Sequence, residues 1–270
     1  MRSVRDWASL YAAFFRISLL ANLQYRASGT IWMIGLVLEP LVFLVVWSTV
    51  ARSEGGAVAG LDPRDLAAYY IALLVVNHLT FSWIMHTFEY RVRFGELGFE
   101  LLRPLHPIHG DICDNVAYKL VMLIVLLPAV AVLTWLFEPR FAPDPGALAL
   151  LVPALVLGLA VRLLLDWTLA LAAFWTTRVT AINQTYFAIV LFLSGRVAPI
   201  ALLPGWLQDV AGTLPFYWTV AFPAELATGR VGFAAGLRGL AVQLVWVLAA
   251  LGLISFGWRR SLRRFTAVGT

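Results

Sequence analysis

The densest group of residues with chemical potential is His106, His109, Asp111 and Cys113, which fall within eight positions. Metal ligands need a spacing that turns their donor atoms toward one point, and this mixed spacing, with Pro104 and Pro107 alongside, matches no such pattern. His86 and Glu89 lie three apart on a helix end, but a carboxylate-bridged metal site needs partners that this pair lacks. Solvated or capping residues are the simpler reading of both groups. A phosphate-binding loop of the GxxxxGK[ST] kind requires a lysine, and the only one, Lys119, follows Ala117 and Tyr118 with no glycine in register. Gly-x-Ser-x-Gly is absent, so Ser194-Gly195 is all that remains of a nucleophile signal. The sequence predicts a chain that is not an enzyme and holds no metal or cofactor of its own. An intramembrane enzyme depending on His86 or Glu89 is the alternative.

Polar residues inside apolar runs are costly and raise a functional question by default. Glu39 stands before Pro40 in the first such run, Arg196 lies in the fifth ahead of Pro199, and Asn77, His78, Asn183 and Gln184 add polarity. Each of these six either makes a buried hydrogen bond between helices or lines a substrate pathway between subunits. Arg162 and Asp166, four residues apart in the fourth run, share one helix face. They are either a structural pair whose arginine reaches toward lipid headgroups or part of a polar pathway.

What surrounds these residues sets the class. Hydrophobic residues make up 61% of the 270 and charged residues 13%, with a mean hydropathy of +0.84. A soluble fold of that composition would leave large apolar areas facing water, so the chain is expected to be an all-α polytopic membrane protein whose solvent is the lipid bilayer. A single cysteine, Cys113, excludes an internal disulfide. The net charge of +5 comes from 19 arginines and one lysine. On a soluble protein that balance suggests nucleic acid, but here the placement of the charges carries the information and no nucleic-acid partner is expected.

Spans need about 20 apolar residues. Six runs qualify: Ile31 to Val50, Ala67 to Met85, Val116 to Phe137, Ala147 to Trp175, Ile182 to Leu203 and Gly236 to Phe256. The fourth exceeds a perpendicular crossing and must tilt or protrude. Ahead of the first, residues 1–28 put Trp7, Leu10, Phe14, Ile17 and Ala21 at helical spacing, opposite Arg5, Ser9 and Arg16, which suits a helix lying in the membrane interface. With the amino terminus inside, thirteen basic residues fall on inner segments against five on outer ones. Both termini are therefore placed in the cytoplasm, with the chain in the cell's inner membrane as one transmembrane domain, 1–270. The tail GWRRSLRRF reads as a cytoplasmic anchor against anionic lipid.

Two intervals between spans are unusual. Residues 91–115 are the longest polar interval, yet Phe94, Leu97, Phe99, Leu101 and Leu102 suit one face of a short helix that Pro104 and Pro107 terminate. Over Arg93 to Arg103 the charges Arg93, Glu96, Glu100 and Arg103 recur at intervals of three and four and can share another face. Such a segment is built to touch something outside the membrane. Residues 204–235 are nominally an outer loop, but Trp206, Leu207, Phe216, Tyr217, Trp218 and Phe222 make water a poor home for it. Pro215 and Pro223 divide it into short pieces, predicting two small helices that dip into the outer leaflet, or else a loop whose aromatics anchor at the interface.

An amino-terminal interface helix, six spans with both ends inside, a cytoplasmic amphipathic helix between the second and third, and a proline-broken apolar stretch before the sixth together resemble the membrane permease subunit of a bacterial ABC type 2 exporter. The run Gly95-Glu96-Leu97, then Leu101-Leu102-Arg103-Pro104-Leu105 and Pro107, is similar to the G-x-L…LLRPL-x-P motif of one bacterial branch of that family. The topology covers nearly the whole chain and the motif only Gly95 to Pro107.

The resemblance implies two membrane subunits, identical or related, and two copies of a separate ATPase that carries ATP and magnesium. Arg93, Glu96, Leu97, Glu100, Leu101, Leu102, Arg103 and Pro104 would form the coupling helix seated in a groove of the ATPase. The pathway would run along the first, second and fifth spans, past Glu39, Asn77, His78, Asn183, Gln184 and Arg196, and exit by an external gate at Trp206, Phe216, Tyr217 and Trp218. Few charges in the spans favour a hydrophobic or amphiphilic cargo, a drug or a lipid. An ion-gradient-driven secondary carrier, needing no partner, is the alternative.

Overall fold

The computed structural model describes residues 4–103, 105–176 and 178–264, and within them the regular elements are helices, apart from an isolated antiparallel bridge between Val58 and Leu61. In order the helices are α1 (Val4–Gln24), α2 (Arg26–Ser53), α3 (Pro63–Thr80), α4 (Ile84–Arg93), α5 (Glu96–Leu101), α6 (Ile108–Phe137), α7 (Pro145–Ala149), α8 (Leu151–Ala170), α9 (Thr180–Leu193), α10 (Gly205–Thr213), α11 (Pro215–Thr219), α12 (Ala221–Thr228) and α13 (Phe233–Leu262). Five segments are long and apolar enough to cross a membrane: Arg26–Ser53, Pro63–Arg93, Ile108–Phe137, Leu151–Phe174 and Phe233–Leu262.

The centre of the bundle is α3, which is apolar on all sides and buried over almost its whole length. It packs against α2, α6, α8 and α12. Its start is fixed by a reciprocal cap: the Asp62 carboxylate accepts from the backbone N–H groups of Arg64 and Asp65, and Asp65 reaches back to the Asp62 N–H, with Pro63 at the first helical position. Arg140, beyond α6, binds both Asp62 (2.8 Å) and Asp65 (3.4 Å) and so ties that end of the bundle together. Slight burial raises the Asp62 carboxyl, but the two backbone donors and Arg140 outweigh it and hold the group below its ordinary value. By contrast α2 buries a single stripe, Met33, Pro40, Leu44, Ser48 and Ala51, and leaves Ile34, Leu38, Val42 and Val45 uncovered.

Four predicted elements differ from what forms. The span predicted over Ala67 to Met85 is interrupted at Phe81–Trp83, between α3 and α4. The long run Ala147 to Trp175 breaks at Leu150 into α7 and α8, where Pro153 fits the first turn of a new helix, so its excess length is absorbed by a bend. The fifth run, Ile182 to Leu203, is helical only to Leu193; Gly195 then takes φ +83 and a short 3-10 turn follows at Ile200–Leu202. At 14 residues α9 is about 21 Å long, short of a hydrocarbon core of about 30 Å. Finally, Pro204 to Ala235 forms three short helices rather than two, and the last of them turns its apolar side into the protein: Val220, Ala221, Phe222, Ala224 and Leu226 are buried. Packing against α3 and α8 explains the apolar character of this stretch.

Candidate functional site

The break between α3 and α4 organises the site. A helix that stops inside an apolar layer leaves carbonyl oxygens without partners and a partial negative charge at its end. Two cations answer it. Lys119 on α6 donates Nζ to the Phe81 carbonyl (2.5 Å) and to Asn115 Oδ1. Arg162 on α8 donates Nη1 to Asn77 Oδ1 (2.8 Å) and Thr80 Oγ1 (3.1 Å), with its guanidinium 5.3 Å from the centre of the Phe81 ring. His78 bonds the Lys119 carbonyl through Nε2 (3.0 Å); a carbonyl only accepts, so Nε2 carries the proton. Arg162 thus faces the interior rather than lipid headgroups, and no ion pair joins it to Asp166.

Beside the break lies a cavity of about 520 Å³ between α2, α4, α6 and α9. Trp32, Phe81, Trp83 and Phe187 form its apolar wall, with Trp83 5.0 Å from Trp32, 5.8 Å from Phe81 and 6.0 Å from Phe187 between ring centres. Of the six polar residues singled out from the sequence, Glu39, His78, Asn183, Gln184 and Arg196 line this one space, whereas Asn77 sits behind it on Arg162. Asn183 is bonded to His86 Nε2 (2.8 Å), and that imidazole stacks on Trp83 at 4.9 Å. Glu89 does not join His86: it accepts the Val179 N–H (3.3 Å).

Glu39 and Arg196 face each other across the cavity in a two-pronged ion pair, Nε to Oε1 at 3.0 Å and Nη2 to Oε2 at 2.6 Å. The turn that carries Arg196 is held from three sides. Tyr69 Oη donates to the Gly195 carbonyl (2.9 Å), and Tyr70 Oη (3.0 Å) and Trp47 Nε1 (2.8 Å) both donate to the Val197 carbonyl.

At the opposite end of α4 the chain makes an elbow. Gly95 adopts φ +74, a left-handed conformation that glycine takes without penalty, and the helix predicted over Arg93 to Arg103 is consequently two pieces, α4 and the six-residue α5. Leu97 plugs the elbow into the core beside Phe88 and Trp167. Arg91 binds Glu100 (3.1 Å) and Asp111 (2.9 Å), and Asp111 also accepts Trp167 Nε1 (2.9 Å). Glu100 is therefore engaged inside the chain and does not share an outward face with Arg93, Glu96 and Arg103. What the elbow presents outward is Phe94, Phe99 and Leu102, at 60%, 73% and 83% exposure, flanked by exposed Arg93, Glu96 and Arg103. Leu101 is half-buried, and Pro104 lies outside the described residues.

The remaining candidates have separate roles. His106 rests on Trp167 and Trp258, and burial, then His109, hold it below the ordinary histidine range. His109 bonds Tyr11 Oη (2.6 Å), docking α1 on α6. Among the residues proposed for an exit gate, Trp206 is exposed, Tyr217 donates to Glu225 (2.7 Å), Trp218 donates to the Gly212 carbonyl (2.8 Å), and Phe216 reaches α9, 6.0 Å from Tyr186. None of the four lines the cavity.

The sequence pattern of the family described as ABC-2 family transporter protein matches residues 37–269, which takes in Glu39, the broken α3 and α4, the elbow and Arg196. The chain belongs to the ABC-2 transporter family. This ABC-2 chain is also 28% identical over 249 residues to proteins named "Probable doxorubicin resistance ABC transporter permease protein DrrC" from two strains of Mycobacterium tuberculosis, CDC 1551 / Oshkosh and ATCC 25618 / H37Rv. The alignment covers 87% of the ABC-2 chain and 84% of each relative. Sequence reasoning named the polar lining of the cavity but missed Trp32, Trp83 and Phe187, whose rings look like ordinary interface aromatics. It did not single out Lys119 either, although a sole lysine in the predicted third span was the available signal.

Proposed function

We propose that this chain is the membrane permease subunit of an ATP-driven exporter, paired with a second permease subunit and served by two separate ATPase subunits. The observation that carries the reading is one stretch of chain: the segment from Phe81 through α4 walls the cavity at Phe81, Trp83 and His86 and runs on into the elbow with its outward apolar trio Phe94, Phe99 and Leu102. An ATPase seated on that trio would move the cavity wall directly. In this arrangement the elbow and both termini face the cytoplasm, as the distribution of basic residues favours, and α9 with its folded-back continuation supplies the sixth, shortened crossing. The exposed stripe of α2 meets the second permease, and the cavity is the cargo path for a hydrophobic or amphiphilic compound. The relatives' naming for doxorubicin resistance supports such a cargo.

Contact surfaces concentrate their energy in a few apolar anchors, and three such residues left in water on one elbow suit that role. Phe99→Asp combined with Leu102→Asp is expected to leave membrane insertion unchanged and to weaken ATPase association by about 2 kcal/mol or more, roughly thirtyfold. Quantitative copurification of the ATPase with the tagged chain measures it. Undiminished copurification would remove the elbow from the docking role.

A further inference from the structure

Helix α13 carries a pattern that neither the cavity nor the elbow explains. Gly239, Gln243, Ala250, Ile254 and Ser261 are buried and recur at helical spacing, so one side of this 30-residue helix lies against the bundle, chiefly on α8. On the opposite side Leu237, Val245, Leu248 and Phe256 are exposed, and Arg259 and Arg263 continue the same line at steps of three and four. From Leu237 to Phe256 the apolar line is about 29 Å long, which matches a hydrocarbon core of about 30 Å. Arg259 and Arg263 follow about 5 and 10 Å further along the axis, at a depth from which both guanidinium groups reach the phosphates of the headgroup layer.

Two arginines four residues apart on an open helix face repel each other. Among the described residues no carboxylate comes within ion-pair distance of either, nor of the exposed Arg260 and Arg264 beside them. A helix end favours cations, but that field acts on every side of the last turn and does not account for two of them standing in line with the apolar stripe. A phosphate does, because two planar guanidinium forks match its oxygens. With no acidic side chain paired to these arginines, the ammonium of a zwitterionic headgroup finds no counter-charge there, so a net-anionic headgroup is preferred. We propose that this end of α13 is a binding site for an anionic diacyl phospholipid, its phosphate held between Arg259 and Arg263 and its chains lying along Phe256 and Leu248. Trp258, in the same turn, packs on His106 at 4.4 Å and on Trp167 at 5.5 Å, so the lipid sits on a helix end that is fixed to the base of the elbow. The site is separate from the cavity and from the surface offered to an ATPase, and it stands whatever the cargo is.

The full chain is titrated with dioleoyl phosphatidylglycerol and, separately, with dioleoyl phosphatidylcholine, and bound lipid is counted by native mass spectrometry. Wild type is expected to bind its first phosphatidylglycerol at least about tenfold more tightly than phosphatidylcholine. Arg259→Gln with Arg263→Gln should bring the two lipids within about twofold of each other. Arg260→Gln with Arg264→Gln removes the same charge from beside the line and should keep most of the preference. Circular dichroism of both variants should match wild type, since all four side chains are exposed. Soluble glycerophosphate, which has the phosphate without the chains, should not displace the lipid. Equal binding of the two lipids by wild type, equal loss of preference in the two double variants, or displacement by glycerophosphate would each overturn the proposal.

Discussion

Arg91→Ala is expected to destabilise the protein by about 3 kcal/mol or more and to release the elbow from the bundle. The guanidinium spans two carboxylates, Glu100 of α5 and Asp111 of α6, with exposures of only 12% for Arg91, 28% for Glu100 and 13% for Asp111. Removing it leaves two poorly hydrated negative charges close together, which costs more than the pair itself contributes. Phe88 also loses the cation over its ring, 5.4 Å away. Arg91→Lys should recover part of the loss, since an ammonium keeps the charge but lacks the planar fork that reaches both partners. Thermal unfolding of the purified protein, followed by tryptophan fluorescence, reads the stability. A change under about 0.5 kcal/mol would contradict the view that this arginine holds the elbow.

The second large effect concerns Glu39 and Arg196. Both sit within an apolar layer, where an unpaired charge is far costlier than an opposed pair. Arg196→Gln should cost about 3 to 5 kcal/mol, because the Glu39 carboxylate then faces the cavity without a cation. Replacing both, Glu39→Gln with Arg196→Gln, should return most of that stability, since two amides can bond each other without charge. The coupling from this double-mutant cycle is expected to be about 2 kcal/mol or more. Additive effects of the two substitutions would mean that the pair does not join α2 to the turn after α9. Export should fall in the double variant even where stability returns, because the amides alter the polarity of the path.

How much of this was legible depended on whether a residue's role is local. Composition and run length were enough for a helical membrane protein, and Glu39, His78, Asn183, Gln184 and Arg196 announced themselves as polar residues in apolar surroundings. That they share one cavity follows from tertiary packing, which brings α2, α3, α9 and the turn at Gly195 together. Phe81-Ser82-Trp83 carries neither proline nor glycine, so nothing local signals the interruption of α3. It persists because Lys119, 38 residues further along, donates to the Phe81 carbonyl, while Arg162 braces the end of α3 through the side chains of Asn77 and Thr80. Glu100 was misplaced for a related reason. Helical spacing alone puts it on a face with Arg93 and Glu96, but Gly95 breaks the helix and Arg91 captures the carboxylate. The apolar stretch from Pro204 was read against lipid because a sequence cannot distinguish burial in lipid from burial against α3 and α8.

In the proposed exporter, this chain moves its cargo only when a separate ATPase sits on the elbow between α4 and α5. Isolation of the tagged chain from its native host under mild detergent, with its companions identified and weighed by mass spectrometry, tests that claim most directly. The expected result is an ABC ATPase in equal number to the permease subunits, lost when Phe99 and Leu102 are replaced by aspartate. A chain recovered without any ATPase, yet moving cargo in vesicles on an ion gradient with no nucleotide present, would contradict it.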